Sequence, residues 1–551
     1  MECASGKSLC LCSPHTSPSI TNTSNDSHTL LAAMGVCQSW RYAAALFYYR
    51  EGIFESQDVK PEQKEDKSRD RKSSRSSVLG IRHIAKSGFT QNVRVLHVCA
   101  MINDILGGQV SDGLLAVGPL RSVRKIVVRL ATGWMRYRRS EDVCSAETDE
   151  AELDRLCTVL QRLMPFIRSV EVDFGDVYYD DACSKQCTYL YSRLLEHKHW
   201  VLTLVDTPPQ IDARCTRLQL VGLAHLSIQV EVWTEHHVEL VRQNAATLRS
   251  LRLLQIPFHM CSQLLRDSTN SCSIVYPRLH TLEMQLPEFA SPSQILVRVD
   301  ANAFPSLVSI QCRSAYPFAS DLLLRCNRQG LERLQMVLPR RFVTDCQQFT
   351  PGAYPRLTHV DLSVEGEAEW IKQGATALKL LSKILSLSAT AQSIKTSMFV
   401  GGSVDFLPEI TCHQTLRELV MPRVHFALPT AVRLLQSFPW LTRAAIALGS
   451  TSHCRCIPTD EAITEWRSKS ASRSAARLLS LELGDARYPT ARCSAEYIVL
   501  LVSLLPSLKH AAVGSQDTGW LCKIRSAICS TLARKAYSDE QYARLQSVFL
   551  L

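Results

Sequence analysis

From about residue 90 onward, one pattern of apolar and polar positions keeps returning. It runs apolar, two variable residues, apolar, one variable residue, apolar. Leu248-Arg-Ser-Leu251-Arg-Leu253 is the clearest copy, and others begin at Val93, Val123, Ile167, Leu223, Leu279, Leu307, Leu331, Leu357, Leu416, Leu441, Leu478 and Leu508. The closing alternation puts two apolar side chains on one face of a short strand, because successive strand residues point to opposite sides. Between Leu223 and Leu357 the copies recur at roughly 24–31 residues, near the leucine-rich-repeat period. Wider gaps follow Ile167 and Leu357, where insertions or degenerate copies must sit.

A second pattern introduces several of these strands: a bulky residue, proline, any residue, leucine. It occurs as Tyr276-Pro-Arg-Leu279, Phe304-Pro-Ser-Leu307, Tyr354-Pro-Arg-Leu357, Phe438-Pro-Trp-Leu441 and Leu505-Pro-Ser-Leu508. Proline cannot continue a helix and biases the residue before it towards extended backbone, so each copy marks a helix-to-strand turn. The segments upstream, Ala319 to Asn327, Ala375 to Leu387, Thr430 to Gln436 and Ala495 to Leu504, read as the helices. Strand, loop, helix, proline and strand make a βα repeat, which buries its apolar face only against its neighbours. The predicted fold is therefore α/β, an irregular leucine-rich βα-repeat solenoid.

Composition changes this picture little. With 551 residues, 46% hydrophobic and 21% charged, the chain is too long for one ordinary core and apolar enough to fold over most of its length. The net charge of +10 is mild and its two signs are interspersed, which argues for a protein partner over a nucleic-acid backbone. No apolar run is long enough to span a membrane and no secretory leader is recognisable, so the expected location is cytoplasmic or nuclear. Residues 1–28 are polar and read as a disordered tail, and residues 57–80 as a charged flexible linker, since neither can offset its ordering entropy by burial. The 21 cysteines include no C-x-x-C pair and read as reduced, mostly buried thiols. Phosphate loops, dinucleotide fingerprints, zinc-hydrolase helices and nucleophile elbows are all missing. Glu235-His236-His237 reads as a solvated face. No catalytic residue, metal ligand or cofactor is assigned, and the chain is expected not to be an enzyme.

Residues 29–56 turn apolar and aromatic in a helix-compatible pattern, with Trp40, Tyr42, Phe47, Tyr48 and Tyr49. Within them Val36-Cys-Gln-Ser-Trp40-Arg41 resembles the second half of an F-box, and residues 81–551 resemble the irregular leucine-rich repeats of F-box proteins, fungal ones among them. The resemblance implies a short helical module docking on the adaptor subunit of a cullin-RING ubiquitin ligase through Leu31, Val36, Cys37, Trp40 and Arg41, with the repeats holding a substrate. The Leu-Pro opening of an F-box has no counterpart in residues 1–28. The repeats also lack the Asn or Cys that normally follows each strand: Ile256, Pro287, Ala315, Pro339 and Glu365 stand there. Without that side-chain ladder, an uneven solenoid is expected.

If the strands face a partner, the variable positions flanking the buried ones form the contact row. These are Glu171 and Asp173, Arg252, Glu283 and Gln285, Gln311 and Arg313, Arg333 and Gln335, and His359 and Asp361. Arg252, Arg313 and Arg333 are the candidate charge-assisted donors to a partner's carboxylates. Two other readings remain open: a repeat scaffold with no ligase connection, and an enzyme whose site assembles on an α/β framework.

Overall fold

A computed structural model of the protein describes residues 45, 49–55, 79–100, 102–130, 146–173, 193, 201–205, 221–230, 232–265, 273–286, 299–300, 302–313, 322, 325–338, 352–364, 381–397, 400, 401–404, 414–449, 464, 468, 477–484, 490–505, 507–514, 518–534 and 538–549. Residues 1–28, the F-box-like positions Leu31, Val36, Cys37, Trp40 and Arg41, and the charged stretch 57–77 lie outside them. The chain packs as two compact units, Met1–Arg214 and Cys215–Leu551.

The first unit runs β1 (Glu51–Glu55), β2 (Leu79–Gly80), α1 (Ile81–Lys86), β3 (Val95–Ala100), α2 (Ile102–Leu106), α3 (Gln109–Val117), β4 (Lys125–Leu130), α4 (Ala146–Leu163), β5 (Ser169–Asp173) and β6 (Val201–Val205). Its strands pair in the order β2-β1-β3-β4-β5-β6, every described pairing parallel.

The second unit begins with β7 (His225–Gln229), α5 (Glu235–Gln243), β8 (Ser250–Leu254), α6 (Phe258–Leu265), β9 (Thr281–Gln285), β10 (Ser309–Arg313), β11 (Arg333–Leu338) and β12 (His359–Val364). It continues through β13 (Ser393–Thr396), β14 (Val400–Val404), β15 (Glu418–Phe426), α7 (Leu428–Gln436), β16 (Arg443–Leu448), β17 (Ser480–Leu483), α8 (Ala491–Ser503), β18 (His510–Val513), α9 (Thr518–Arg534) and α10 (Asp539–Phe549). Strand follows strand in parallel from β7 to β13 and on through β15 to β18, with β13 and β14 pairing successive stretches of β15. Each unit is thus an open parallel sheet with interspersed helices, an α/β repeat arrangement.

Every predicted repeat start lies two residues before a strand, and all are buried except the half-buried Ile167. The fourth and sixth positions of the pattern are buried as well, as Leu251 and Leu253, Leu282 and Met284, or Ile310 and Cys312. The aromatic-Pro-x-Leu signature forms one recurring turn. The amide of Leu279 donates to the carbonyl of Tyr276 at 3.3 Å, Leu357 to Tyr354 at 3.2 Å and Leu441 to Phe438 at 3.3 Å. Proline at the second position of such a turn has its φ already set. The bulky first residue closes over the core, and Tyr276, Phe304, Tyr354 and Phe438 are all buried. Met164-Pro-Phe-Ile167 makes the same turn in the first unit.

The structure departs from the sequence expectations in four places. Glu51–Glu55, grouped with the helix-compatible residues 29–56, is strand β1 of the first sheet, so the sheet begins before residue 81. Its copy of the pattern is Tyr49-x-x-Gly52-x-Phe54, with all three residues buried. Strands β6 and β13 fill the wide gaps, the latter on a copy that uses Ala391 and Thr396 where leucines were sought.

Thirdly, the missing ladder is replaced. A hydroxyl one residue before the repeat start reaches back to the preceding turn: Thr247 Oγ1 donates to Leu223 O at 2.9 Å, Ser306 Oγ to Pro277 O at 2.6 Å, and Thr415 Oγ1 to Ala391 O at 2.8 Å. Asn327 Nδ2 adds a bond to Pro305 O at 2.7 Å. The fully buried Asn244 accepts from the Leu223 amide at 2.9 Å and donates to Leu240 O at 2.9 Å. Backbone groups between repeats are thereby satisfied on the entry side of the strands.

Finally, His237 is buried and not a solvated residue. Its Nδ1 accepts the Thr234 amide at 3.1 Å and so caps the start of α5. Cys157, Cys261, Cys312 and Cys326 are buried, and burial pushes the Cys312 and Cys326 thiols up to about 12.

Candidate partner-binding face

Alternation along each strand leaves three side chains on the face opposite the core. On β9 to β12 the described ones are half-buried or exposed, as are Ser250 and Arg252 on β8, where Leu254 is buried; their neighbours are buried. Parallel pairing then aligns them into rows across strands. One row runs Arg252, Glu283, Gln311, Gln335, Asp361 and Lys395, and a second runs Ser309, Arg333, His359, Ser393, Glu418 and Arg443. Gln285 and Arg313 are register partners in a third. Eight of the predicted contact residues besides Glu171 and Asp173 thus sit with Gln285 on one face of the second unit. Glu171 belongs to the first unit, where it accepts from Lys125 Nζ at 2.6 Å. Asp173 lies opposite Arg129 in the backbone register of β5, and its side chain is outside the described set.

Within the second unit the charges are arranged in complementary pairs. Arg252 Nε lies 3.1 Å from Glu283 Oε2. Glu418 is the centre of a cluster, accepting from Ser393 Oγ at 2.6 Å, Lys395 Nζ at 3.1 Å and Arg443 NH1 at 3.1 Å. Burial pushes the Glu418 carboxyl up, but the hydrogen bonds from Ser393 and Lys395 and the charges of Lys395 and Arg443 outweigh it and hold it below the ordinary value. Asp361 is shifted the other way. Burial raises its carboxyl, the Lys395 and Arg313 charges offset that in part, and Glu418 adds to it. His359 is lowered by burial and by the neighbouring Arg333 cation.

These shifts make a prediction. A lowered carboxyl stabilises the fold fully above its unfolded value and loses that contribution as pH falls through the folded one. The stability gap between wild type and Glu418→Gln is expected to be constant near neutral pH and to narrow as pH falls into the acid carboxylate range. Urea melts at stepped pH measure it, and a gap that stays level down to pH 3 removes Glu418 as the electrostatic centre of this face.

Ser393, Lys395, Glu418 and Arg443 were missed by the sequence reading. Glu418 and Arg443 stand two residues after the repeat starts Leu416 and Leu441, the same offset that gives Arg333 and His359, so the signal was present. Ser393 and Lys395 follow the degenerate start Ala391, which carries no leucine to reveal them.

Among the described residues, no group of three or more His, Cys, Asp and Glu side chains is placed to hold a metal, and no helix is long and apolar enough to cross a membrane. The chain matches no protein-family model and no curated protein sequence.

Proposed function

We propose that this is a non-enzymatic leucine-rich-repeat protein that recognises another protein, and that it serves as the substrate-recognition subunit of an F-box-type cullin-RING ubiquitin ligase in the cytoplasm or nucleus. The observation that carries the first half is the pair of in-register rows rich in exposed and half-buried charged and amide side chains, Arg252 to Lys395 and Ser309 to Arg443. Arginine and amide side chains alternating with carboxylates suit a protein surface of mixed charge better than a uniformly anionic backbone. Arg252, Arg313 and Arg333 are all exposed, and their planar guanidinium groups can each hold a partner carboxylate through two hydrogen bonds. Support for the ligase half is the Val36-Cys-x-x-Trp40-Arg41 resemblance, with Leu31 beside it as a further adaptor contact. If that half fails, a repeat scaffold with no ligase connection is what remains.

The test has two arms on the full chain. Purified adaptor subunit is passed over the immobilised protein, in wild type and in Val36→Asp and Trp40→Ala. Retention that falls at least tenfold in both folded variants supports the receptor reading, and no retention by the folded wild type ends it. Separately, proximity labelling compares wild type with an Arg252→Ala, Arg313→Ala, Arg333→Ala triple variant. Loss of the specific neighbours supports the strand face as the grip, and an unchanged set of neighbours removes it.

A further inference from the structure

The second unit's face leaves unused a separate feature of the first unit. The residue immediately before each strand carries the carbonyl that accepts two amides of the next repeat: Arg94 and Val95 donate to Arg50 O, Arg124 and Lys125 to Arg94 O, and Arg168 and Ser169 to Arg124 O. That position is therefore a structurally equivalent rung, and on β1, β3, β4 and β5 in succession it is arginine. Adjacent rungs are one strand spacing apart, about 4.8 Å. Arg50, Arg94 and Arg168 are exposed and Arg124 is half-buried.

The turns that lead into these strands, residues 90–94, 119–124 and 164–168, contain no aspartate or glutamate and add the exposed Arg121. The guanidinium of Arg94 bonds only to the Ser122 carbonyl at 3.2 Å, and that of Arg124 to the Arg121 carbonyl at 3.2 Å and the Val123 carbonyl at 3.5 Å. These contacts fix orientation without neutralising charge. The acid beside Arg50, Glu51, lies 3.5 Å from His97 Nε2 and also feels the Arg50 charge, so it offsets Arg50 in part and leaves the other arginines of the rim unanswered. Five arginines thus line one rim of the sheet, and the turns between them hold no carboxylate. Like charges at this spacing repel, so the arrangement is costly unless a ligand of opposite sign completes it.

The geometry points to this rim as a docking site for an acidic peptide segment of a partner protein, laid across the strands so that successive carboxylates meet Arg50, Arg94, Arg124 and Arg168. An extended peptide advances about 3.3 Å per residue, so a run of Asp and Glu offers a carboxylate within reach of every rung. The planar fork of arginine pairs two-fold with a carboxylate, which a row of lysines could not do. Phe166, 53% exposed at the end of the ladder, would take an apolar residue flanking the acidic run. A nucleic-acid strand fits less well. Such sites stack successive bases on several aromatic rings, and these three turns offer one, Phe166. The proposal concerns the first unit alone and stands apart from the reading of the second.

The experiment uses the full chain and fluorescence anisotropy of three probes of equal length: an acidic Asp/Glu peptide containing one phenylalanine, its Asn/Gln counterpart, and a single-stranded oligonucleotide. The acidic peptide is expected to bind saturably, weakening as salt rises, and the amide peptide to bind at least tenfold more weakly. Arg94→Glu with Arg168→Glu should weaken the acidic peptide at least tenfold with an unchanged melting temperature, and Arg94→Gln with Arg168→Gln by an intermediate factor. A variant at exposed cations that belong to neither face, Lys523→Glu with Arg525→Glu on α9, should leave this binding unchanged, which shows that the rim and not the net charge is read. Absent binding, binding indifferent to both rim variants, or tighter rim-dependent binding of the oligonucleotide each overturns the proposal.

Discussion

Replacing Tyr276 with alanine is expected to destabilise the second unit by about 3–5 kcal/mol, the usual cost of deleting a buried aromatic ring. Tyr276 is 1% exposed, stacks on Phe304 with ring centroids 5.4 Å apart, and donates from its hydroxyl to the Leu264 carbonyl at 2.8 Å. Burial holds its phenol well above the usual value, so the hydroxyl remains a donor at any pH the fold survives. The ring also lines a small apolar cavity with Cys261, Leu264 and Met284. Removing it enlarges an existing void instead of letting a tight site collapse, which places the loss towards the upper part of the range. Tyr276→Phe keeps the ring and leaves only the Leu264 carbonyl without this donor, for about 1–3 kcal/mol. Chemical denaturation of both variants gives the two values. A loss under 1 kcal/mol for the alanine variant is incompatible with the aromatic-Pro-x-Leu turn holding repeats together.

Gly484→Ala is expected to be the most damaging single-methyl change in the described part of the second unit. A Cβ at Gly484 collides with the carbonyl oxygen of Pro422, a backbone atom that no side-chain rotation can move aside. The approach is a product of β15. Proline there has no amide for the ladder, and the register with β16 shifts between Met421 and His425. The strand bulges, and the chain leaving β17 passes against it while the Gly484 amide donates to Ile446 O at 2.8 Å. Overpacking usually costs about 1–3 kcal/mol, and a rigid backbone partner moves this case to the top of that range or above it. A parallel Gly514→Ala variant is the control, since the nearest atom to its Cβ is 3.7 Å away. Equal melting temperatures for the two variants rule out the close approach.

Much of this architecture could be read from the residues, and the limits have identifiable causes. Leucine at three fixed positions reports burial in a strand, so every predicted repeat start led to a strand. Where the core narrows, small residues serve the same position. Gly52 has the Ile81 side chain 2.9 Å from where a Cβ would sit, and Ala391 opens β13. A hydrophobicity pattern has no means of recognising either. The outward placement of Arg252 through Asp361 followed from alternation alone. That Glu418 gathers three donors depends on which strands are neighbours, and β13 pairs with β15 across a segment whose copy was degenerate. The hydroxyl ladder was open to inspection, as Thr247-Leu248, Ser306-Leu307 and Thr415-Leu416, but a search for Asn after the strand looks at the wrong end.

That ladder has a bearing on how such a protein can lengthen. Each hydroxyl bond joins the residue ahead of a repeat start to the turn of the preceding repeat, so these bonds leave the stretch between a strand's end and the next turn outside them. Extra sequence placed there extends a loop whose closure entropy grows only with the logarithm of its length, at about 0.6 kcal/mol per doubling. The interval after β5, or that between β12 and β13, can therefore take in new segments without breaking the hydroxyl bonds of the entry turns. New surface accumulates at the strand exits while the entry turns stay uniform, so variety and regularity are sorted to opposite ends of the same sheet.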